Sequence, residues 1–485
     1  MIELLGYFPD AEPQTPGAMV ECTNIVPYEA GMKTAPTPVT IGLPALNGPC
    51  LGAAVLRDLT GNARFLAGTS TAIYESNGTA WVDVSQGTAP YSVAASDGWD
   101  FAQFGNTALA ATPTKRIQRS TSGAFAEITA APKCHIIESV NGFVMALNTD
   151  ETVYGTSPDR WWCSALYDDT DWTPAVSTQS TTGRLIDGLG AITAGKRFGS
   201  DMIAYKERGI FLGRYAGPPA VWDWTTISED VGCVGREAVV ITNVGHVFAG
   251  QDNIYVFDGT RPIPVGDPVR QWWADNSSGQ YRDRTKLLWD RQNSLVWMFF
   301  PSKTSDGAAD YCLVFHTLTR RWGRCDNIAQ AVVNFYTSGA FTYDGGSPLI
   351  STYNNSPAAA IPYDSVLWLN EKEAPAFFDN ANQIKALEGE SGDSSFTTGD
   401  FGSDTKAVMA KRVILNFSQT PDSAECTGYT RPGSGRTLTE RSTSELNDSA
   451  FDMRQTARFH RFQIDISGNA KFNGIEVEVE DAGVR

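Results

Sequence analysis

One hairpin design recurs along the chain at intervals of about 40 to 55 residues, and no other feature limits the fold as much. Each copy is an apolar strand and a tight turn, then a Trp or Phe with a polar exit. It reads Ile73-Tyr74-Glu75-Ser76-Asn77-Gly78 with Trp81, then Ile117 to Gly123 with Phe125, then Ile210 to Tyr215 with Trp222 and Trp224. It returns as Ile254 to Gly259, and as Cys312 to Phe315 running into Arg320-Arg321-Trp322. Short alternating segments rich in Val, Ile, Phe, Tyr and Trp lie around these copies, bounded by Gly, Asn, Asp and Pro. Ile203 to Tyr205 and Ile210 to Leu212 flank a turn at Lys206 to Gly209, and Val247 to Ala249 leads into Ile254 to Phe257. Helical periodicity is almost nowhere sustained, so the chain is expected to be all-β.

A four-stranded sheet with two apolar faces cannot bury both alone, whereas sheets stacked about an axis cover each other and shield most edges. The period therefore predicts a β-propeller of six or seven blades over residues 47–373, with aromatic side chains packed between blades. Two stretched intervals, Pro174 to Thr182 and Ala274 to Gly279, are expected to be projecting loops. Residues 1–46 carry Pro9, Pro13, Pro16, Pro27, Pro36, Pro38 and Pro44, which forbid a long helix and predict an extended N-terminal arm that closes the ring or reaches a neighbour. Beyond a polar stretch, Glu388 to Asp404, alternation resumes in Val408 to Phe417, Phe459 to Ile466 and Ile475 to Val479. Residues 374–485 thus read as a β-sandwich-like C-terminal domain or an enlarged last blade.

The net charge of −17 argues against a protein that grips nucleic acid, which needs clustered Lys and Arg. The eight cysteines show neither C-x-x-C nor zinc spacing and are expected to be reduced, buried and inert. Met1 to Leu5 carries no secretory signal, and no apolar run is long enough to span a bilayer, so folding in a cytoplasm without membrane insertion is expected.

Candidate chemistry is sparse. His135, His246, His316 and His460 lie far apart and match no metalloprotease or nucleophile motif. Asp168-Asp169-Thr170-Asp171 before Trp172 reads as a side-chain-stabilised turn, with a metal or active-site role as the alternative. Gly188-Leu189-Gly190 with Gly195 is neither a dinucleotide fingerprint nor a P-loop and reads as a loop leading into a blade. Arg454, Arg458 and Arg461, interleaved with Phe459 and Phe462, suggest either nucleic-acid contact or, on one strand face, pairing with carboxylates such as Asp465. Trp161-Trp162 and Trp272-Trp273 suit either exposed loop tips or interfaces. No catalytic, cofactor-binding or metal-ligating residue is assigned, no cofactor is expected, and the chain is not expected to be an enzyme.

Several stretches, taken together and in order, resemble the tail-hub or nozzle proteins of short-tailed bacteriophages, including the packaged-DNA-stabilisation proteins. They are Pro158 to Ser164 with Asp171-Trp172, Gly183 to Gly188 leading to Ile203 to Lys206, and Ile254 to Gly266 with Val269 to Trp273. Leu313 to Trp322, Arg458 to Phe462, Gly474 to Val479 and Gly483-Val484-Arg485 complete the set. His316-Thr317 departs from the usual Tyr and Asn-like pair, and the middle of the C-terminal domain has no match. The resemblance implies a structural virion protein, assembled in the bacterial cytoplasm and located in the tail. It implies a hexameric ring around the DNA exit channel that retains packaged DNA and docks a portal adaptor protein and tail fibres or tailspikes. Double-stranded DNA would pass without sequence recognition, and a carboxylate-lined lumen would let it slide. Two alternatives stay open: a carbohydrate-active propeller enzyme acting on host surface polysaccharide, and a glycan- or receptor-binding propeller.

Overall fold

The computed structural model describes residues 2–59, 61, 63–87, 91–337 and 372–482. Alternating apolar residues and Gly, Asn or Asp turns build sheets that are antiparallel apart from the parallel pair Gly6–Tyr7 with Ala18–Thr23, and among the described residues seven of them are successive blades. Their innermost strands are Gly52–Arg57, Asp100–Phe104, Lys133–Val140, Leu189–Phe198, Val239–Thr242, Lys286–Asp290 and Ala331–Thr337. Each of these contacts the next, and the seventh contacts the first, so the sheets close into a propeller.

Apolar cores fill the wedges between blades. Trp162 and Trp172 pack between blades 2 and 3, Trp161 and Trp222 between blades 3 and 4, and Phe65 and Phe378 between blades 1 and 7. Two buried indoles also tie neighbouring blades by hydrogen bonds. Trp99 Nε1 donates to the Thr69 carbonyl at 2.8 Å, joining blades 1 and 2. Trp322 Nε1 donates to the Val265 carbonyl at 3.0 Å, joining blades 5 and 6.

The expected hairpins are present at Ile73–Ser76 with Trp81–Asp83 and at Gly245–Ala249 with Ile254–Phe257. The turn expected at Lys206 to Gly209 is a sharp bend inside one β-run, Asp201–Gly217. Its first half pairs with Leu189–Phe198 and its second half with Val221–Ser228. A Cβ on Gly209 would stand 3.7 Å from that of Lys206, and φ there is +147°, a backbone state open to glycine.

Residues 2–46 build strands of both the propeller and the second domain. Pro36–Thr40 is the outermost strand of blade 7, pairing with Ile384–Ser391. Ala18–Thr23 pairs with Asp393–Thr398, and Ile25–Tyr28 with Gly31–Thr34. The prolines exclude a helix, as expected, yet Pro36 and Pro38 are compatible with a sheet edge, where a missing N–H costs little. The boundary expected at residue 374 also moves. Lys372–Phe378 and Ile384–Ser391 continue the sheet begun by Ala331–Thr337, so blade 7 extends to Ser391.

The second domain is a sandwich drawn from both ends of the chain. One sheet holds Gly6–Tyr7, Ala18–Thr23, Asp393–Thr398, Phe459–Ser467, Ser423–Arg431 and Thr439–Glu445. The other holds Ile25–Tyr28, Gly31–Thr34, Lys471–Asp481, Val408–Gln419 and Ala450–Ala457. Phe396, Val413, Phe451, Phe462, Ile464 and Phe472 are buried between them, in the same core that continues into blades 4 to 6. The second sheet is continuous with blade 6 through the pairing of Arg324 with Ile25. Gly323 is needed at this seam, since a Cβ there would stand 2.3 Å from the Ile25 carbonyl oxygen.

One expected loop is partly helical: Arg270–Asn276 is an α-helix where Ala274 to Gly279 was read as a loop. Asp10 accepts hydrogen bonds from the Gln271 and Trp272 amides, so the cap comes from far away in sequence. Trp273 is fully buried against Phe300, at 4.8 Å between ring centroids.

Candidate functional site

The innermost strands and the segments leading into them carry charged side chains that pair between neighbouring blades. Lys286 Nζ pairs with Glu237, which also faces Arg236 at 3.8 Å. Lys196 Nζ stands 3.9 Å from Glu138, bridging blades 3 and 4. Burial pushes the Glu237 carboxyl up, but Lys286 and then Arg236 outweigh it and hold it below its ordinary value. Burial raises Glu138, only partly offset by Lys196. Burial pulls Lys196 down, and the Asp100 and Glu138 carboxylates overcome it, so the ammonium is held charged. These groups lock neighbouring blades together. At one mouth they open into a cavity of about 620 Å³ rimmed by His135, Asp97, Arg284 and Gln330.

The residues nominated from sequence are placed apart. His246 is fully buried; Tyr205 Oη donates to its Nδ1 and its Nε2 donates to the Arg197 carbonyl, both at 2.9 Å. Burial lowers its pKa to about 4. His316 Nδ1 accepts from the Thr319 amide, and His460 Nε2 donates to the Val408 carbonyl. His135 alone lines the axial cavity.

The Asp168 to Asp171 segment is a turn. Asp168 Oδ1 accepts from the Thr170 amide and hydroxyl, Asp169 pairs with Arg119 at 2.7 Å, and Asp171 Oδ1 accepts from the Thr173 amide. The Gly188 loop offers carbonyls: Lys206 Nζ donates to those of Leu185, Asp187 and Gly188 at 3.0 to 3.1 Å.

Two expectations change. Arg454, Arg458 and Arg461 do not share a strand face, because Ala450–Ala457 and Phe459–Ser467 belong to opposite sheets of the sandwich. Arg461 pairs with the buried Asp400 at 2.8 Å, with Arg431 on its other oxygen, and Asp465 instead accepts from Gln463. Both Trp pairs pack within the chain. Trp161 and Trp162 point into different inter-blade cores, Trp273 is buried, and Trp272 is half-buried against Tyr7 and Tyr311. All eight cysteines are buried free thiols, as expected, and burial raises each thiol above its ordinary value. The Gly483-Val484-Arg485 stretch lies outside the described residues.

Sequence reasoning missed the axial charges, the Asp400 clamp and Lys206. It also missed an outward face of the sandwich. Across neighbouring strands, Glu445 stands opposite Glu425, and Glu425 opposite Asp465. The cleft beside them, about 850 Å³, is lined also by Asp326, Asp393 and Asp422 and, among the described residues, by no Lys or Arg.

No family model matches the chain, and no curated protein is similar to it. Among solved structures it is similar to the WD40 domain of Pan2 from Neurospora crassa, with TM-score 0.38 and 9% identity over 73% of this chain and 94% of that one. It is similar to YCF48 bound to a D1 peptide, with TM-score 0.36 and 13% identity over 62% and 87%. YCF48 from Cyanidioschyzon merolae gives 0.32 and 11% over 60% and 88%. These likenesses concern the fold and carry nothing about what the chain does.

Proposed function

We propose that the chain is a structural protein of a short bacteriophage tail, several copies of which form a ring around the DNA exit channel. The observation that carries this reading is the uncompensated carboxylate row on the sandwich. Like charges directly opposite on neighbouring strands destabilise a sheet, so the row suits a surface selected for what it faces. Facing a duplex, it repels phosphates and releases no counterions, so DNA slides rather than sticks. The net charge of −17 acts in the same direction. In this reading the propeller axis is not the conduit, since each inner strand contacts the next around the ring and ion pairs join adjacent blades there. The channel therefore lies between copies.

The segments resembling tail-hub proteins support the same reading because they fall in both domains. Pro158 to Ser164 lies in blade 3, Ile254 to Gly266 in blade 5, Leu313 to Trp322 in blade 6 and Arg458 to Phe462 in the sandwich. The ring would retain packaged DNA and dock the adaptor and the fibres or spikes, without catalysis. Immunogold labelling of phage particles from the source of this sequence tests the assignment. Label confined to the tail is the expected result, and unlabelled particles would overturn it.

A further inference from the structure

A cavity of about 470 Å³ lies where blade 6 meets the sandwich, walled by Tyr7, Trp272, Tyr311, Arg324, Asn276 and Glu21. Three rings shape one side. Tyr7 meets Trp272 edge-on at 5.7 Å, and Trp272 stacks on Tyr311 at 5.7 Å. The Arg324 guanidinium lies over both stacked rings, 5.8 Å from Trp272 and 5.3 Å from Tyr311.

Arg324 is only half used. Its Nη1 donates to the Cys22 carbonyl at 3.2 Å. Its Nε is sealed from solvent without an acceptor. Among the described residues no carboxylate stands within ion-pair distance of it, although Glu21 lines the same cavity. A partly desolvated guanidinium without an ion pair favours a carboxylate partner, and with Nε sealed and Nη1 on the Cys22 carbonyl, Nη2 is the nitrogen left for one. Tyr7, Asn276 and Glu21 stand in the same walls and carry groups able to donate or accept hydroxyl hydrogen bonds. Aromatic side chains beside such groups suit a pyranose.

We propose that this cavity binds an acidic monosaccharide, free or as a glycan unit, with its carboxylate on Arg324 and its hydroxyls toward Asn276 and Glu21. The proposal is independent of ring assembly and of any role in a tail.

Titration calorimetry of the full chain with D-glucuronate, D-glucose and inorganic phosphate tests it. D-glucuronate is expected to bind with a Kd on the order of 1 mM, and glucose and phosphate about tenfold more weakly or worse. Arg324→Gln should weaken glucuronate about tenfold or more, and Asn276→Ala about threefold. Thermal unfolding of each variant controls for loss of fold. If Arg324→Gln does not fold, Arg324→Lys takes its place, since it keeps the charge and loses the planar guanidinium. Absence of glucuronate binding to the full chain, unchanged binding by folded variants, or phosphate or glucose binding as tightly as glucuronate would each overturn the assignment.

Discussion

His246 is held neutral between the Tyr205 hydroxyl and the Arg197 carbonyl, with its pKa lowered by burial to about 4. The unfolded chain binds a proton there near pH 6.5 and the folded chain does not until about pH 4. Stability is therefore lost as pH falls through that window. His135, His316 and His460 are lowered in the same direction. Denaturant melts from pH 7 to 4.5 should show this slope, and His246→Phe should flatten it while costing about 1–3 kcal/mol at pH 7 through the orphaned hydrogen-bond partners. Near the axis, Lys286→Met leaves the half-buried Glu237 with Arg236 and the more distant Lys196 and should cost about 1.5–3 kcal/mol by the same melts, with much of it recovered when Glu237→Gln is added. What could be read from sequence among these residues was local. Asp168 and Thr170 are two residues apart and announce their turn, whereas Asp400 meets Arg461 and Arg431 only after folding. Lys206 likewise finds its three carbonyls at 18 to 21 residues' separation, across a strand start that periodicity does not mark.

Hairpins were legible because partner strands adjoin in sequence and carry their own turn residues. Two of the N-terminal strands were not, because their partners lie more than 300 residues away and prolines mask their alternation. Pro36–Thr40 pairs with Ile384–Ser391, and Ala18–Thr23 with Asp393–Thr398. The short helix Arg270–Asn276 escaped notice because Asp10, not a preceding residue, caps it. Two consequences follow for the seam between domains. Gly323→Val drives a side chain into the Ile25 carbonyl, 2.3 Å from where its Cβ would stand. It should cost about 3 kcal/mol or more in chemical denaturation. Deleting residues 1–40 strips blade 7 of its outer strand and the sandwich of strands in both sheets. We expect that truncated chain to lose cooperative thermal unfolding, while a chain that still melted sharply would show the strands to be dispensable.

Seven sheets close about an axis fixed by ion pairs, and one continuous sheet carries blade 6 into the sandwich, so the molecule behaves as a unit. Period and aromatic spacing gave the propeller, since stacking is the economical way to cover sheets with two apolar faces. They were silent on where the sandwich begins, because both chain ends build it. The carboxylate row Glu445, Glu425 and Asp465 was equally hidden, since it exists only once three strands fix their register. In the proposed ring that row lines a lumen. Cryo-electron microscopy of the purified full chain puts the proposal to the test. We expect closed hollow rings of copies with Glu425 and Asp465 on the inner wall; monodisperse monomers, or rings whose inner wall is basic, would contradict it.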